Sequence, residues 1–443
     1  MITSFVCLGI LLLAAAGIVT HWATAVRQHQ RRLDQLDVRI HVNGIRGKSS
    51  VTRLVAGVLR EGGFVTVAKT TGSAARVIGP MGEETPIIRR GAPTINEQID
   101  VVAAHVTSEV EAIVIECMAV RPLYQKYSQD FMVRSDITII TNVREDHQEE
   151  MGETLEEIAD SLSATIPRNG VLITAEDRAH LRQRLEDNAA VLGSRLVHAD
   201  PLTVSDEDMA GFDYVQFKEN VAIGLEVARL LGIPRQRAIE GMWKSVPDVG
   251  VVRLKWYPVR DKQVLWIPLF AANDRESVIG SFRTLAPYFP KDGTVVALLN
   301  NRTDRGRRAE LFAQMVPHDL APQLDHVITL GAYESQVTRT MVEGGYPASR
   351  IHSFGDDVKP TLDELLDGIA DLIPGQSGVL IGMVNIHTHQ AELLLEHFAE
   401  HDGEEVFDEI LEASRPHRAP AGTARLHRLA SRRVPVTTRR SDR

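Results

Sequence analysis

From Val38 onward the apolar and polar positions of this chain fall into alternating blocks. "VRIHVNG" is a short strand running into glycine. "KSSVTRLVAGVLREGG" then sets Val51, Leu54, Val55, Val58 and Leu59 at helical spacing ahead of a glycine pair. "FVTVAKTTG" reads as a second strand and "NEQIDVVAAHVTSEV" as a helix. "AIVIECMAV" and "ITIITNV" are continuous apolar runs of the kind buried in parallel sheets. An acidic helix is expected around Thr154–Thr165, and "GVLITAED" and "RLVHA" continue the alternation. Repeated strand–helix units predict an open, mostly parallel sheet with helices on both faces. A seam falls near Pro247–Gly250, after which the alternation restarts. "QVLWIPLF" precedes the helical "RESVIGSFRTLAPYF", and "TVVALLN", "HVITLG" and "GVLIGMVN" are later strands. This is a second, smaller α/β domain of about 150 residues that ends near Glu400. No internal repeat or heptad array is present.

The N-terminus follows a different pattern. "MITSFVCLGILLLAAAGIVTHWATAV" has no Asp, Glu, Lys or Arg before Arg27, and Arg31 and Arg32 follow. The strictly apolar part, Phe5 to Val19, is shorter than the roughly 20 residues that span a bilayer, but Ile2–Ser4 and Thr20–Trp22 extend it. The basic n-region of a cleaved signal peptide is missing. The expectation is a single membrane anchor over residues 1–26, with everything after Arg27 on the cytoplasmic side by the positive-inside rule. A buried core helix or an amphipathic docking segment is the alternative.

Charge adds one distinction. The 443-residue chain carries a formal −10, yet Ser414 to Arg443 hold nine Arg and one Asp, about +8, which leaves about −18 for the rest. An acidic body argues against general nucleic-acid binding. The basic tail, rich in Arg, Pro and Ser, is expected to be disordered, with contact to anionic lipid or to an anionic product as its functional alternative. Cys7 and Cys117 make no disulfide framework, and a reducing, cytosolic setting fits them.

Candidate chemistry gathers at strand ends. Gly44-Ile45-Arg46-Gly47-Lys48-Ser49-Ser50 follows a strand and opens a helix, the context a phosphate loop requires. Glycines admit phosphate oxygens to backbone N–H groups, the helix N-terminus favours an anion, Lys48 would neutralise β- and γ-phosphates and Ser49 would ligate Mg²⁺. Val42 stands where the usual pattern has its first glycine, so a plain strand–helix turn with a solvated lysine stays open. Glu116 ends the "AIVIE" run, and Asp146 and His147 follow "ITIITNV" in "TNVREDH". In a parallel sheet these segments converge beyond the carboxyl ends of the strands. Ser49 and Glu116 suit a hard cation, and an imidazole such as His147 suits Mn²⁺. The plainer alternatives are Glu116 as a helix cap and His147 as a polar loop residue. His387 and His389 in "NIHTHQ" are expected on a strand end, as polar residues or as metal ligands.

Taken together these residues resemble the Mur ligase superfamily of ATP-dependent amide ligases, whose shortened GxxGK[ST][ST] loop lacks the earlier glycine. "HVNGIRGKSSVTRLVAGVLREGGFVTVAKTTG", "IVIECMAVRPLYQ", "TNVREDHQEEMGETLEEIA", "FAANDRESV" and "GMVNIHTHQAE" are similar to the membrane-associated ligase subunits of poly-γ-glutamate synthases, from the N-terminus to about Glu400. The resemblance implies a Mur-ligase-like ATP-binding domain over 37–250, a C-terminal α/β ligase domain over 251–402 and a basic tail over 414–443. It implies activation of a carboxylate as an acyl phosphate, attack by an amine, and release of ADP and phosphate. Lys48, Glu116 and His147 would be catalytic, with Ser49, Glu116 and His147 on Mg²⁺ or Mn²⁺. Asn43, Gly44, Gly47, Lys48, Ser49, Ser50, Asn220, Arg253, Arg302 and Asp304 would contact ATP. Thr71, Asn273, Asp274 and Arg305 would face substrate. Glutamate, a growing poly-γ-glutamate chain, further membrane subunits and the cytoplasmic membrane are the implied partners. A folylpolyglutamate-type ligase, or an ATPase subunit that only drives export, is the alternative. One departure stands out: the metal-binding lysine many Mur ligases carry on the helix after the Asp-His motif has no counterpart in "DSLSATIP".

Overall fold

The computed structural model describes residues 2–405, apart from Ser73, Arg90, 249–252, Ala271, Asn273, Asp357, His387 and Asp402, with the side chains of 2–11, 404 and 405 also outside the description. The basic tail lies outside the described residues. The chain divides into two compact units, the first comprising Met1–Asp208 and Lys218–Asp248. The second comprises Met209–Phe217 and the described residues of 253–405, so a short segment ahead of the expected seam belongs to it.

In the first unit β1 (Val38–Asn43), β2 (Thr66–Lys69), β3 (Arg76–Ile78), β4 (Glu84–Pro86), β5 (Ala112–Glu116), β6 (Ile137–Ile140), β7 (Val171–Thr174) and β8 (Arg195–His198) form one sheet in the order β4-β3-β2-β5-β1-β6-β7-β8. All neighbours from β2 to β8 are parallel, and β3 and β4 add antiparallel at the edge. β5, "AIVIE", is buried at every position, as the unbroken apolar run requires of a strand covered on both faces. Register sets Val42 beside Glu116, Asn43 beside Ile140, Lys69 beside Ile115 and Ile140 beside Thr174. The segments that follow these strands therefore leave the sheet at one level, with β1 between β5 and β6 where chain connections run to opposite sides. The helix Lys48–Glu61 buries Val51, Leu54, Val55, Val58 and Leu59, the stripe the spacing predicts. Each such side chain contributes about 1.5–3 kcal/mol on leaving water, which fixes the helix start at the end of β1.

The second unit holds β9 (Lys255–Val259), β10 (Lys262–Pro268), β11 (Thr294–Asn301), β12 (His326–Gly331), β13 (Ile351–Ser353), β14 (Ser377–Val384) and β15 (Glu404–Glu405), ordered β13-β12-β11-β14-β10-β9-β15. β10 to β13 and β14 run parallel, while β9 and β15 pair antiparallel. Two apolar clusters, around Phe282 and Phe312 and around Trp266 and Phe398, lie against this sheet.

Two expectations change. "NIHTHQ" does not end a strand at His389: the Thr388 side chain accepts from Ala391 N at 3.3 Å, and a helix runs His389–Glu400. His387 lies outside the described residues. At the N-terminus the helix Ile2–Asp34 forms where the anchor is expected, but among the described residues no helix is long and apolar enough to cross a membrane. Its C-terminal part is packed on the first unit, with Leu33 fully buried and the His29 ring bonded to Met132 O at 2.9 Å.

Candidate active site

The loop after β1 is shaped by two glycines. Gly44 has φ +119°, and a Cβ there would lie 2.1 Å from Thr141 Oγ1 and 2.7 Å from Thr141 N. Only glycine fits so close an approach in that conformation. Gly47, at φ +79°, opens the helix Lys48–Glu61 without any side chain to cap it. The N–H groups of the first turn are therefore left for an anion, with the helix dipole behind them. Thr141 and Asn142, just past β6, hold the loop by its backbone. Thr141 Oγ1 and Asn142 Nδ2 both donate to Arg46 O, at 2.7 and 3.1 Å, and Arg46 N donates to Asn142 Oδ1 at 3.0 Å. Spacing alone left this support unseen, although Thr141 and Asn142 open the quoted "TNVREDH".

Lys48 Nζ curls back to donate to Gly44 O at 2.7 Å and Ile45 O at 3.2 Å. Burial pushes its ammonium pKa down, while the Glu116 carboxylate pulls it up. Ser49 Oγ donates to Glu116 Oε2 at 2.8 Å, and Thr71 donates to the same carboxylate twice, through N and Oγ1, each at 2.8 Å. Glu116 is only 3% exposed. The structure thus joins Lys48, Ser49, Thr71 and Glu116, and sets Ser50 half-buried in the same first turn. Asn220 is close by: a Cβ on Gly47 would meet its Oδ1 at 3.0 Å. Asn43 points elsewhere, donating to Gln125 Oε1 at 2.7 Å and Thr165 Oγ1 at 3.2 Å, so it secures the carboxyl end of β1.

His147 is not drawn into this set. Its side chain is about half exposed, its backbone is left-handed at φ 48°, and its nearest charged partner is Asp146, 4.0 Å away. Asp146 instead pairs with Arg46 of the loop after β1 at 3.2 Å. Behind this turn, the fully buried Glu176 accepts from Val143 N at 2.8 Å, and Arg178 donates to Val143 O, so one peptide is gripped from both sides. Burial works to raise the Glu176 pKa, but Arg178, Val143 N–H and Arg144 together hold it below the usual carboxylate range. Among the described residues no three His, Cys, Asp or Glu side chains converge as a metal cluster. The hydroxyl and carboxylate oxygens of Ser49, Thr71 and Glu116 are nonetheless the donors a hard divalent ion takes.

In the second unit Arg302 and Asp304 form a fork at 2.8 and 2.8 Å just past β11, and Arg305 lies 3.8 Å from Asp304. Asp274 caps the helix Arg275–Leu285, accepting from Ser277 N at 2.9 Å, and Asn273 lies outside the described residues. Arg253 pairs with Asp213 at 3.3 Å. Cys117 is buried beside Glu116, and desolvation pushes its thiol up to about 11.

Comparison with known proteins fits this geometry. The Mur ligase middle domain matches residues 42–211, and the poly-gamma-glutamate synthase CapB C-terminal domain matches residues 255–401. The folylpolyglutamate synthase of Mycobacterium tuberculosis, solved with ADP and AMPPCP, superposes with a TM-score of 0.53 at 13% identity, over 86% of this chain and 96% of that one. MurF of Acinetobacter baumannii gives 0.58 at 16%, over 84% and 79%. These likenesses show the fold. In sequence, the chain is 37% identical to the capsule biosynthesis protein CapB of Bacillus anthracis over 325 residues, 72% of this chain and 69% of that protein. It is 35% identical to the PGA synthase CapB of Bacillus subtilis (strain 168) over 397 residues, 88% of this chain and 98% of that protein. With Ser49 and Thr71 gathered on a buried carboxylate and the Bacillus subtilis relative matched along 98% of its length, the chain belongs to the CapB family of Mur-ligase-fold proteins.

Proposed function

We propose that this chain is an ATP-dependent amide ligase that joins glutamate residues through γ-linkages by way of an acyl phosphate. The observation that carries this reading is the Lys48–Ser49–Thr71–Glu116 assembly at the carboxyl ends of β1, β2 and β5. The name of the Bacillus subtilis relative supports the polymer as product. In the reaction a γ-carboxylate oxygen attacks the γ-phosphorus of ATP and ADP departs. The α-amine of another glutamate then attacks the acyl carbon, phosphate leaves with the former carboxylate oxygen, and the amine proton passes to solvent.

The residues present suit that sequence of events. The uncapped first turn at Lys48 would bind phosphate oxygens through backbone N–H groups, and the Lys48 ammonium would offset charge on the transferring phosphoryl group. Ser49 and Glu116 would hold Mg²⁺, which when bound draws charge from the β- and γ-phosphates, with His147 as a further ligand. Asn220, beside Gly47, would face the nucleotide, and Arg253, Arg302 and Asp304 are assigned to ATP. Thr71, Asp274, Arg305 and Asn273 are assigned to substrate. A thioester route is disfavoured because the Cys117 thiol is 2% exposed and held protonated at neutral pH. We further place the chain at the cytoplasmic membrane through the helix Ile2–Asp34, beside membrane subunits that would export the polymer. The exposed Leu12, Leu13, Ile18, Val19 and Trp22 support this.

The test is ADP formation by membranes containing the chain, with and without glutamate and an oligo-γ-glutamate primer. ADP release that requires both supports the ligase. Release indifferent to both points to an ATPase serving export, and a requirement for folate points to a folylpolyglutamate-type ligase.

A further inference from the structure

Lys69 ends β2 with its side chain fully buried, and no role assigned above uses it. Its Nζ lies 2.9 Å from Glu97 Oε1 and 3.7 Å from the Met118 sulfur, two residues beyond Glu116. Glu97 opens the helix Glu97–His105, and its carboxylate also accepts from Arg89 Nε and Nη2, at 2.7 and 3.1 Å. Arg89 spends its remaining arm on Gly72 O at 2.8 Å. Gly72 directly follows Thr71, the residue that supplies two of the three donors on Glu116. The chain of contacts is thus continuous: Lys69 to Glu97, Glu97 to Arg89, Arg89 to the turn, and the turn to the carboxylate.

An ion pair this deep is a poor source of stability, since apolar residues of similar volume do as well or better in its place. What a charged brace adds over an apolar one is direction. Three separate elements, the end of β2, the loop after β4 and the helix Glu97–His105, are tied at stated atoms to one turn. Among the described residues the hydrogen bonds of Thr71 itself run only to Glu116. The neighbouring contacts, Thr70 N to Arg76 O at 2.9 Å and Arg76 N to Thr70 Oγ1 at 3.1 Å, fix the turn only on its N-terminal side.

We infer that Lys69, Glu97 and Arg89 are positioning residues that set the Thr71 turn and, through it, the orientation of the Glu116 carboxylate toward a divalent cation. The inference rests on the metal role given to Glu116 above. Outer contacts of this type tune metal affinity by about 10–100-fold.

The test is Mn²⁺ binding to the full chain with ADP, read by electron paramagnetic resonance, alongside thermal melting. Two variants probe the brace. Lys69→Met/Glu97→Leu removes the buried charges together, and Arg89→Gln cuts the link to Gly72 at a side chain that is 20% exposed. Both are expected to weaken Mn²⁺ binding by about ten-fold while melting within a few degrees of wild type. A variant that melts lower yet binds Mn²⁺ as wild type does would show a merely structural brace and overturn the inference. Glu116→Gln separates the two layers. If it abolishes Mn²⁺ binding while the brace variants bind normally, the inference alone fails. If Glu116→Gln also binds normally, the metal role of Glu116 falls and the inference with it.

Discussion

At the carboxyl ends of β1, β2 and β5 in the first unit, polar groups satisfy one another: Glu116 takes three donors, Lys48 two carbonyls, and Asn43 donates to Gln125 and Thr165. The second unit closes its central strands differently. Asn300 and Asn385 clasp each other's backbone carbonyls, Asn300 Nδ2 to Asn385 O at 2.6 Å and Asn385 Nδ2 to Asn300 O at 3.0 Å. Yet Asn300 Oδ1 and both amide atoms of Asn301 are buried without a partner, and Val384 holds φ +81° at the end of β14. A buried unpaired polar group costs about 1–3 kcal/mol, and a β-branched residue at positive φ a similar amount. The first unit has an assembled site. The second carries uncompensated cost at the crevice between β11 and β14, where strand connections diverge. Such costs collect at working positions rather than in plain scaffolding.

That contrast can be broken or sharpened in four ways. The largest effect belongs to the first unit: Lys48→Ala should lower glutamate-dependent ADP release by about 10³-fold with an unchanged melting curve, and a loss under ten-fold would deny the phosphate loop its role. Acid should reveal the base of the same sheet. His41 is fully buried against Gln129 and desolvation drives its pKa down to about 4 from 6.5. The unfolded chain therefore takes up the proton first, so the stability this site contributes is whole above pH 6.5 and is lost as pH falls from there toward 4, by about 3 kcal/mol in all. Denaturant melts at stepped pH should show that slope, and His41→Gln should flatten it. Gly44→Ala forces a methyl onto Thr141 and should cost about 3 kcal/mol, measured by chemical denaturation. The smallest effect tests the contrast most closely. Asn43→Leu, which strips a satisfied amide, should destabilise by about 2 kcal/mol, whereas Asn301→Leu should stabilise by about 1 kcal/mol while lowering turnover. Equal destabilisation by both would mean that the second unit's strand ends are as settled as the first's.

The same contrast explains what could be read from the sequence. Lys48, Ser49 and Glu116 were legible because each stands at the end of an apolar run, and a parallel sheet brings such ends to one level. Thr71 needed the resemblance, since a turn after a strand carries no pattern of its own. The supports of the site were not legible. Thr141, Asn142, Glu176 and the Lys69–Glu97–Arg89 brace act across 8 to 96 residues of sequence, between segments that the fold brings together. β3, β13 and β15 are two or three residues long, too short for alternation to register. At "NIHTHQ" the two histidines suggested a strand, while the Thr388 cap that starts a helix was the stronger signal.

The central claim is that a glutamyl carboxylate is phosphorylated before it meets the amine. Feeding primer and glutamate with ¹⁸O in their carboxylates, and weighing the phosphate released by wild-type membranes, tests it most directly. The account predicts one ¹⁸O in each inorganic phosphate formed during amide synthesis. Label in AMP would mean adenylate chemistry, and unlabelled phosphate would mean that ATP hydrolysis is separate from bond formation; either result would contradict the account.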